Sequence, residues 1–267
     1  MNLSPSQLLK APGDIASGIL LELRSHPGNA AWDARAIAVI LFSLVLVVAF
    51  YYWGRPGNLD PEFTAWLGSQ IGLSTRDEYF PLLPYGWWAA MSVLLRLLLP
   101  CLFIWWVLRD RLCHYGFTLR INRAHLAAYS LFLFGMLPIV YAVSLTESFQ
   151  QTYPFYRYAH LNAQHFLYFE LFYGIQFFCL EAFFRGFMIF ALFKRFGYYA
   201  LLFMVIPYCM IHLGKPPAEA FAAIVAGIAL GYLALRSGSW VYGALLHWAV
   251  AISMDIMAIL QKGGFAG

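Results

Sequence analysis

The chain has 267 residues, is 62% hydrophobic and only 11% charged, and carries a formal net charge of +4. A soluble domain is about 25% charged, so this composition excludes an ordinary soluble fold and points to an all-α, polytopic membrane protein. The small positive excess asks for no nucleic acid as partner, because the Lys and Arg of membrane proteins gather in cytoplasmic loops.

In chain order, residues 1–34 read as a short amphipathic lead. They lack the apolar core of a cleavable signal and suit the cytosol or the membrane surface. A transmembrane domain over 35–267 follows. A bilayer core about 30 Å thick needs about 20 apolar helical residues, and seven stretches qualify or nearly do: 36–53, 85–108, 126–145, 166–193, 198–213, 218–235 and 240–260. The fifth is the shortest and contains Pro207; Pro138 and Pro207 are expected to kink their helices. Between the first two spans, "PEFTAWLGSQIG" predicts a short interfacial helix, and 109–124 reads as a basic loop. Ten Lys and Arg fall in one set of alternate loops and five in the other, which puts the N-terminus inside and the C-terminus outside. No internal repeat is visible, which ranks an inverted-repeat transporter last among the function classes. Cys101, Cys113, Cys179 and Cys209 form no CxxC pair, and they read as small buried hydrophobes rather than a disulfide or zinc framework.

Charges at membrane depth are expensive and tend to face the protein interior, with a task to perform. The set is Arg96, Glu170, Glu181, Arg185, His212, His247 and Asp255. Glu181 and Arg185 stand at i and i+4, within reach on one helix face. Alone they could be a fastener between helices. With His212 and His247 on two further spans they make the set that general acid–base hydrolysis needs: a carboxylate and an imidazole to activate water, and a second imidazole to support the developing oxyanion. Zinc held by two His and one Glu plus water is the competing use of the same residues, which spacing alone does not exclude. Arg96 reads as a snorkelling or paired structural charge. Gly227 and Gly231 form a GxxxG read as internal helix packing ahead of dimerisation. The aromatic run "YPFYRYAHLNAQHFLYF" reads as an interfacial belt, with a substrate entrance as the other option.

"EAFFRGF" resembles the end of the EExxxR motif of the CPBP family of intramembrane proteases, which includes CAAX prenyl endopeptidases and bacteriocin-processing and immunity proteins. "YCMIH" resembles its FxxxH motif, with Tyr208 for Phe. "AGIALGYLALRSGSWVYGALLHWAV" resembles its stretch of small-residue helix, turn and His-bearing helix. The three motifs occur in order over about 165–260. The resemblance implies a glutamate-type intramembrane endopeptidase that cuts near a membrane-embedded or lipidated C-terminal segment of a substrate protein. It implies no cofactor, and the expected location is a bacterial inner (plasma) membrane. Glu181 then corresponds to the second Glu of the first motif, Arg185 to its Arg, His212 to the His of FxxxH and His247 to the His of the last motif. Two positions depart from the family: Leu180 stands where the water-activating Glu is expected, and Ala251 stands where an Asn or Asp assists the oxyanion. Leu abstracts no proton and Ala donates no hydrogen bond. The expectation is therefore a cavity between the fourth, fifth and seventh spans in which His212 orients or activates water alongside Glu181 and His247 supports the oxyanion. Glu170 and Asp255 are lesser candidates to replace the missing base. An inactive relative that binds or chaperones a membrane partner is the alternative.

Overall fold

The computed structural model describes residues 33–118 and 122–265, so the lead expected over 1–34 lies almost wholly outside the described residues. Among the described residues there is no strand. The helices are α1 (Ala34–Trp53), α2 (Pro61–Gln70), α3 (Phe80–Trp106), α4 (Arg123–Ser144), α5 (Glu147–Thr152), α6 (Ala163–Phe196), α7 (Tyr199–Met210), α8 (Pro217–Ser237) and α9 (Val241–Gln261). Six of them are long and apolar enough to cross a bilayer; α7 is apolar but only 12 residues long, about 18 Å at the helical rise. The seven expected spans thus appear as six full crossings and one short helix. Pro207 lies inside α7, and the backbone leaves the helix just before His212.

Short polar side chains start the helices by accepting from first-turn amides that have no intrahelical partner. Asp33, Asp60, Asn122 and Asn162 cap α1, α2, α4 and α6 in this way. The predicted interfacial helix is α2. At the other end of α8, Gly238 closes the helix with φ +67, a left-handed conformation that glycine adopts without a Cβ clash.

The helix carrying the opening motif is the mast of the bundle. In α6, 83% of the most apolar window is buried inside the protein, against 11% in α4. It packs against α3 and α9, while α7 packs on α8 and α9 on α4. Its interior is an aromatic stack that includes Phe169, Tyr173, Phe177, Phe183, Phe184 and Phe187, all buried. Two turns leave α-helical geometry: Val93–Leu98 in α3 and Ala182–Ile189 in α6 are π-helical. Such turns are rare and cluster at functional sites. Each of these holds an intramembrane arginine, Arg96 or Arg185.

Arg96 is paired rather than snorkelling. It donates to Gln176 Oε1 at 2.8 Å and lies 3.4 Å over the Phe50 ring. Gly227 and Gly231 serve internal packing: a Cβ at Gly231 would stand 2.7 Å from Ile189 Cδ1 and 2.8 Å from Leu201 Cδ2. The aromatic run after α5 is part buried and part exposed: Tyr153 and Tyr156 are each 1% exposed, whereas Tyr158 and Tyr168 are each 48% exposed. One sequence expectation needs correction. Among the cysteines only Cys179 is buried; Cys113, in the polar loop after α3, is exposed.

Candidate active site

Glu181 is the last residue of the α-helical part of α6, and the π-helical turn begins at the next residue. A wider turn changes which direction the following side chains face, and Arg185 is brought back over its own acid. Arg185 Nη1 lies 3.0 Å from Glu181 Oε1, both side chains being 0% exposed. The same oxygen accepts from His247 Nδ1 at 2.9 Å, so α9 is joined to α6 through the acid. Glu181 is therefore more than a partner for Arg185: a buried carboxylate holds an imidazole from another helix.

The second carboxylate oxygen, Glu181 Oε2, is buried with no hydrogen-bond partner among the described residues. It faces the bare Cα of Gly243, where a Cβ would stand 3.3 Å away. Gly243 precedes His247 by one helical turn on the same face of α9. A buried acceptor of this kind calls for a water or a ligand donor. Sequence reasoning passed over Gly243, although its i, i+4 spacing from His247 was a usable signal.

Tyr208, standing where the family motif has Phe, links the first two motifs. Its ring lies 4.0 Å under the Arg185 guanidinium and 4.7 Å from the His212 ring. His212 Nδ1 bonds the Tyr208 carbonyl at 2.8 Å. A carbonyl only accepts, so Nδ1 carries the proton and Nε2 of a neutral His212 keeps its lone pair. Neither His212 Nε2 nor His247 Nε2 has a hydrogen-bond partner among the described residues. Each imidazole is thus fixed through Nδ1, one by a carbonyl and one by a carboxylate, with the opposite nitrogen unoccupied. Phe177 packs its ring 4.3 Å from that of His247 and limits the rotation of the imidazole.

Three other expectations turn out differently. Glu181 contacts His247 and Arg185, and no contact joins it to His212. No three His, Cys, Asp or Glu side chains among the described residues converge to hold one ion, so Glu181, His212 and His247 are not a preassembled zinc set. Among the described residues no hydrogen bond or ion pair joins Glu170 or Asp255 to Glu181, His212 or His247; each is held elsewhere. Trp248 Nε1 donates to Glu170 Oε2 at 3.2 Å and the Phe155 amide to Asp255 Oδ1 at 2.7 Å. The remaining oxygens, Glu170 Oε1 and Asp255 Oδ2, are buried without a hydrogen-bond partner among the described residues. Leu180 and Ala251 are each 4% exposed, in the main apolar core. Neither supplies a polar group.

These features define a polytopic helical membrane protein in which a buried acid of α6 holds an imidazole of α9, with His212 linked to the same arginine through the Tyr208 ring. Residues 162–253, which carry every member of that centre, match the family model described as type II CAAX prenyl endopeptidase, Rce1-like. Over that segment the chain is similar to the CPBP family of CAAX-protease type. No curated protein and no solved structure matches the chain.

Proposed function

We propose that this protein is an intramembrane endopeptidase that hydrolyses a peptide bond near a membrane-embedded or lipidated C-terminal segment of a substrate protein. The observation that carries the reading is the contact of Glu181 Oε1 with His247 Nδ1 at 2.9 Å, made across two helices with Nε2 of both histidines unoccupied. His212 Nε2 accepts a proton from water as the water oxygen bonds to the scissile carbonyl carbon. The charge that develops on the carbonyl oxygen takes a hydrogen bond from Nε2–H of protonated His247, whose imidazolium the Glu181 carboxylate stabilises through Nδ1. Collapse of the tetrahedral intermediate breaks the C–N bond, and His212 returns its proton to the leaving amine. Glu181 is in this scheme a positioning residue for His247, which removes the need for an acid at Leu180. Arg185, over the Tyr208 ring, supplies the counter-charge to the Glu181 carboxylate.

The test is cleavage of a panel of lipidated and C-terminally anchored peptides by the full chain and by His212→Ala, His247→Ala and His247→Gln. Loss of a general base or of an oxyanion donor lowers turnover about 10²–10⁴-fold. Undiminished cleavage by both alanine variants would sink the assignment. Binding of a substrate peptide by the wild-type chain with no product formed would make it a binding protein on a protease scaffold.

A further inference from the structure

A second feature lies away from the acid–imidazole centre, at the end of the bundle opposite the basic 109–118 segment. A cavity of about 650 Å³ opens there between the end of α9 and the chain that follows α5. No Asp or Glu lines it, whereas Arg157, His160 and Lys262 do. Arg157 is exposed, and its guanidinium has no ion pair or hydrogen bond among the described residues. The Lys262 ammonium donates to the carbonyls of Gln150 and Tyr153, both at 2.6 Å, which leaves one of its three N–H groups for the cavity. His160 bonds the Arg157 carbonyl through Nδ1 at 2.8 Å and keeps Nε2 free. Among the lining groups Gln150 Oε1 is a buried acceptor without a partner, while its amide nitrogen donates to Ser144 O and Gln261 Oε1.

The cavity lies where the spans end, and apolar side chains flank it: Leu260 is 61% exposed and Phe265 43%. Two uncompensated cations, a buried acceptor waiting for a donor and an adjoining lipid-facing apolar edge fit one chemistry. We infer that the cavity binds the phosphate of an anionic membrane lipid whose headgroup bears a hydroxyl. The phosphate meets Arg157 and Lys262, the hydroxyl donates to Gln150 Oε1, and the acyl chains follow Leu260 and Phe265 into the bilayer. Basic pockets at span ends hold lipid headgroups on these terms. The inference is independent of any hydrolysis at His212.

The experiment uses the full-length protein in neutral detergent, with dioleoyl phosphatidylglycerol as probe and dioleoyl phosphatidylcholine and inorganic phosphate as comparison arms. The readouts are the thermal unfolding midpoint against lipid concentration and bound lipid by native mass spectrometry. The expected result is a saturable rise with phosphatidylglycerol, with neither comparison arm reproducing it. Arg157→Gln, which breaks no internal contact, should raise the half-saturating concentration about fivefold, and Arg76→Gln should leave it unchanged. An unchanged half-saturation in Arg157→Gln, or equal shifts from the two lipids, would overturn the site. A full shift from inorganic phosphate alone would overturn the lipid as its ligand.

Discussion

Replacing Glu181 by Gln separates a helix fastener from a working acid. The side chain is 0% exposed, with Arg185 Nη1 at 3.0 Å and His247 Nδ1 at 2.9 Å from one oxygen. Opposite charges at this 3.0 Å separation attract by about 5.5 kcal/mol at an effective dielectric of about 20. Gln keeps the shape and one acceptor but leaves the guanidinium buried without a counter-charge, a change that costs about 3–5 kcal/mol. Whole-protein stabilities are about 5–15 kcal/mol, so the loss is large and measurable by denaturant unfolding in detergent, followed by tryptophan fluorescence. The double variant Glu181→Gln/Arg185→Met removes the orphaned cation and should recover most of the stability. Its cleavage of a lipidated peptide should stay at the single variant's level, because His247 has lost its anion. A loss below about 1 kcal/mol in Glu181→Gln would contradict the buried pair. Recovery of cleavage in the double variant would mean that Glu181 only neutralises Arg185.

Further outcomes follow from other parts of the bundle. A Cβ at Gly174 would stand 2.6 Å from Trp248 Cε2, so Gly174→Ala should destabilise by about 1–3 kcal/mol. Gly135→Ala, with nothing within 4 Å, should leave the unfolding midpoint unchanged or raised. Arg96→Met should change stability little, since the charge and its desolvation go together; Gln176→Leu, which leaves the guanidinium unpaired, should lose about 1.5–3 kcal/mol in the same assay. Burial pushes the Asp110 carboxyl up, but hydrogen bonds from His114, the Arg111 amide and Lys194 outweigh it and hold the group well below the usual carboxylate range. Its contribution is therefore fully present above the unfolded-state pKa of about 3.9 and fades as pH falls below it. The stability gap between wild type and Asp110→Asn should be constant from about pH 7 to about pH 5 and shrink below about pH 4; a gap that persists undiminished at about pH 2 would refute this.

The sequence was informative where the physics is local. Apolar length located the spans, and the high cost of charge in lipid singled out Glu181, Arg185, His212 and His247 before any coordinates were known. The contact between Glu181 and His247 required two helices in a particular register. The sequence supplied the residue types for that contact and left the partner open. The π-helical turn after Glu181 escaped notice because "AFFRGFMI" has the composition of any apolar helix, and only the hydrogen-bond pattern distinguishes it. Within the run 153–169 the sequence did not tell the buried rings, Tyr153 and Tyr156, from the exposed ones, Tyr158 and Tyr168, because aromatic residues suit both a bilayer interface and a packed core.

The different surroundings of α6 and α4 have a mechanical consequence. Bilayers vary in thickness, and helices that touch lipid answer by tilting or by deforming their surroundings. That strain falls first on α4, whose most apolar window is only 11% buried inside the protein, whereas the α6 window is 83% buried among its neighbours. The carboxylate thus stands on the helix most sheltered from the host membrane, and thickness changes would reach it through α4 and α9, which pack together and carry the imidazole.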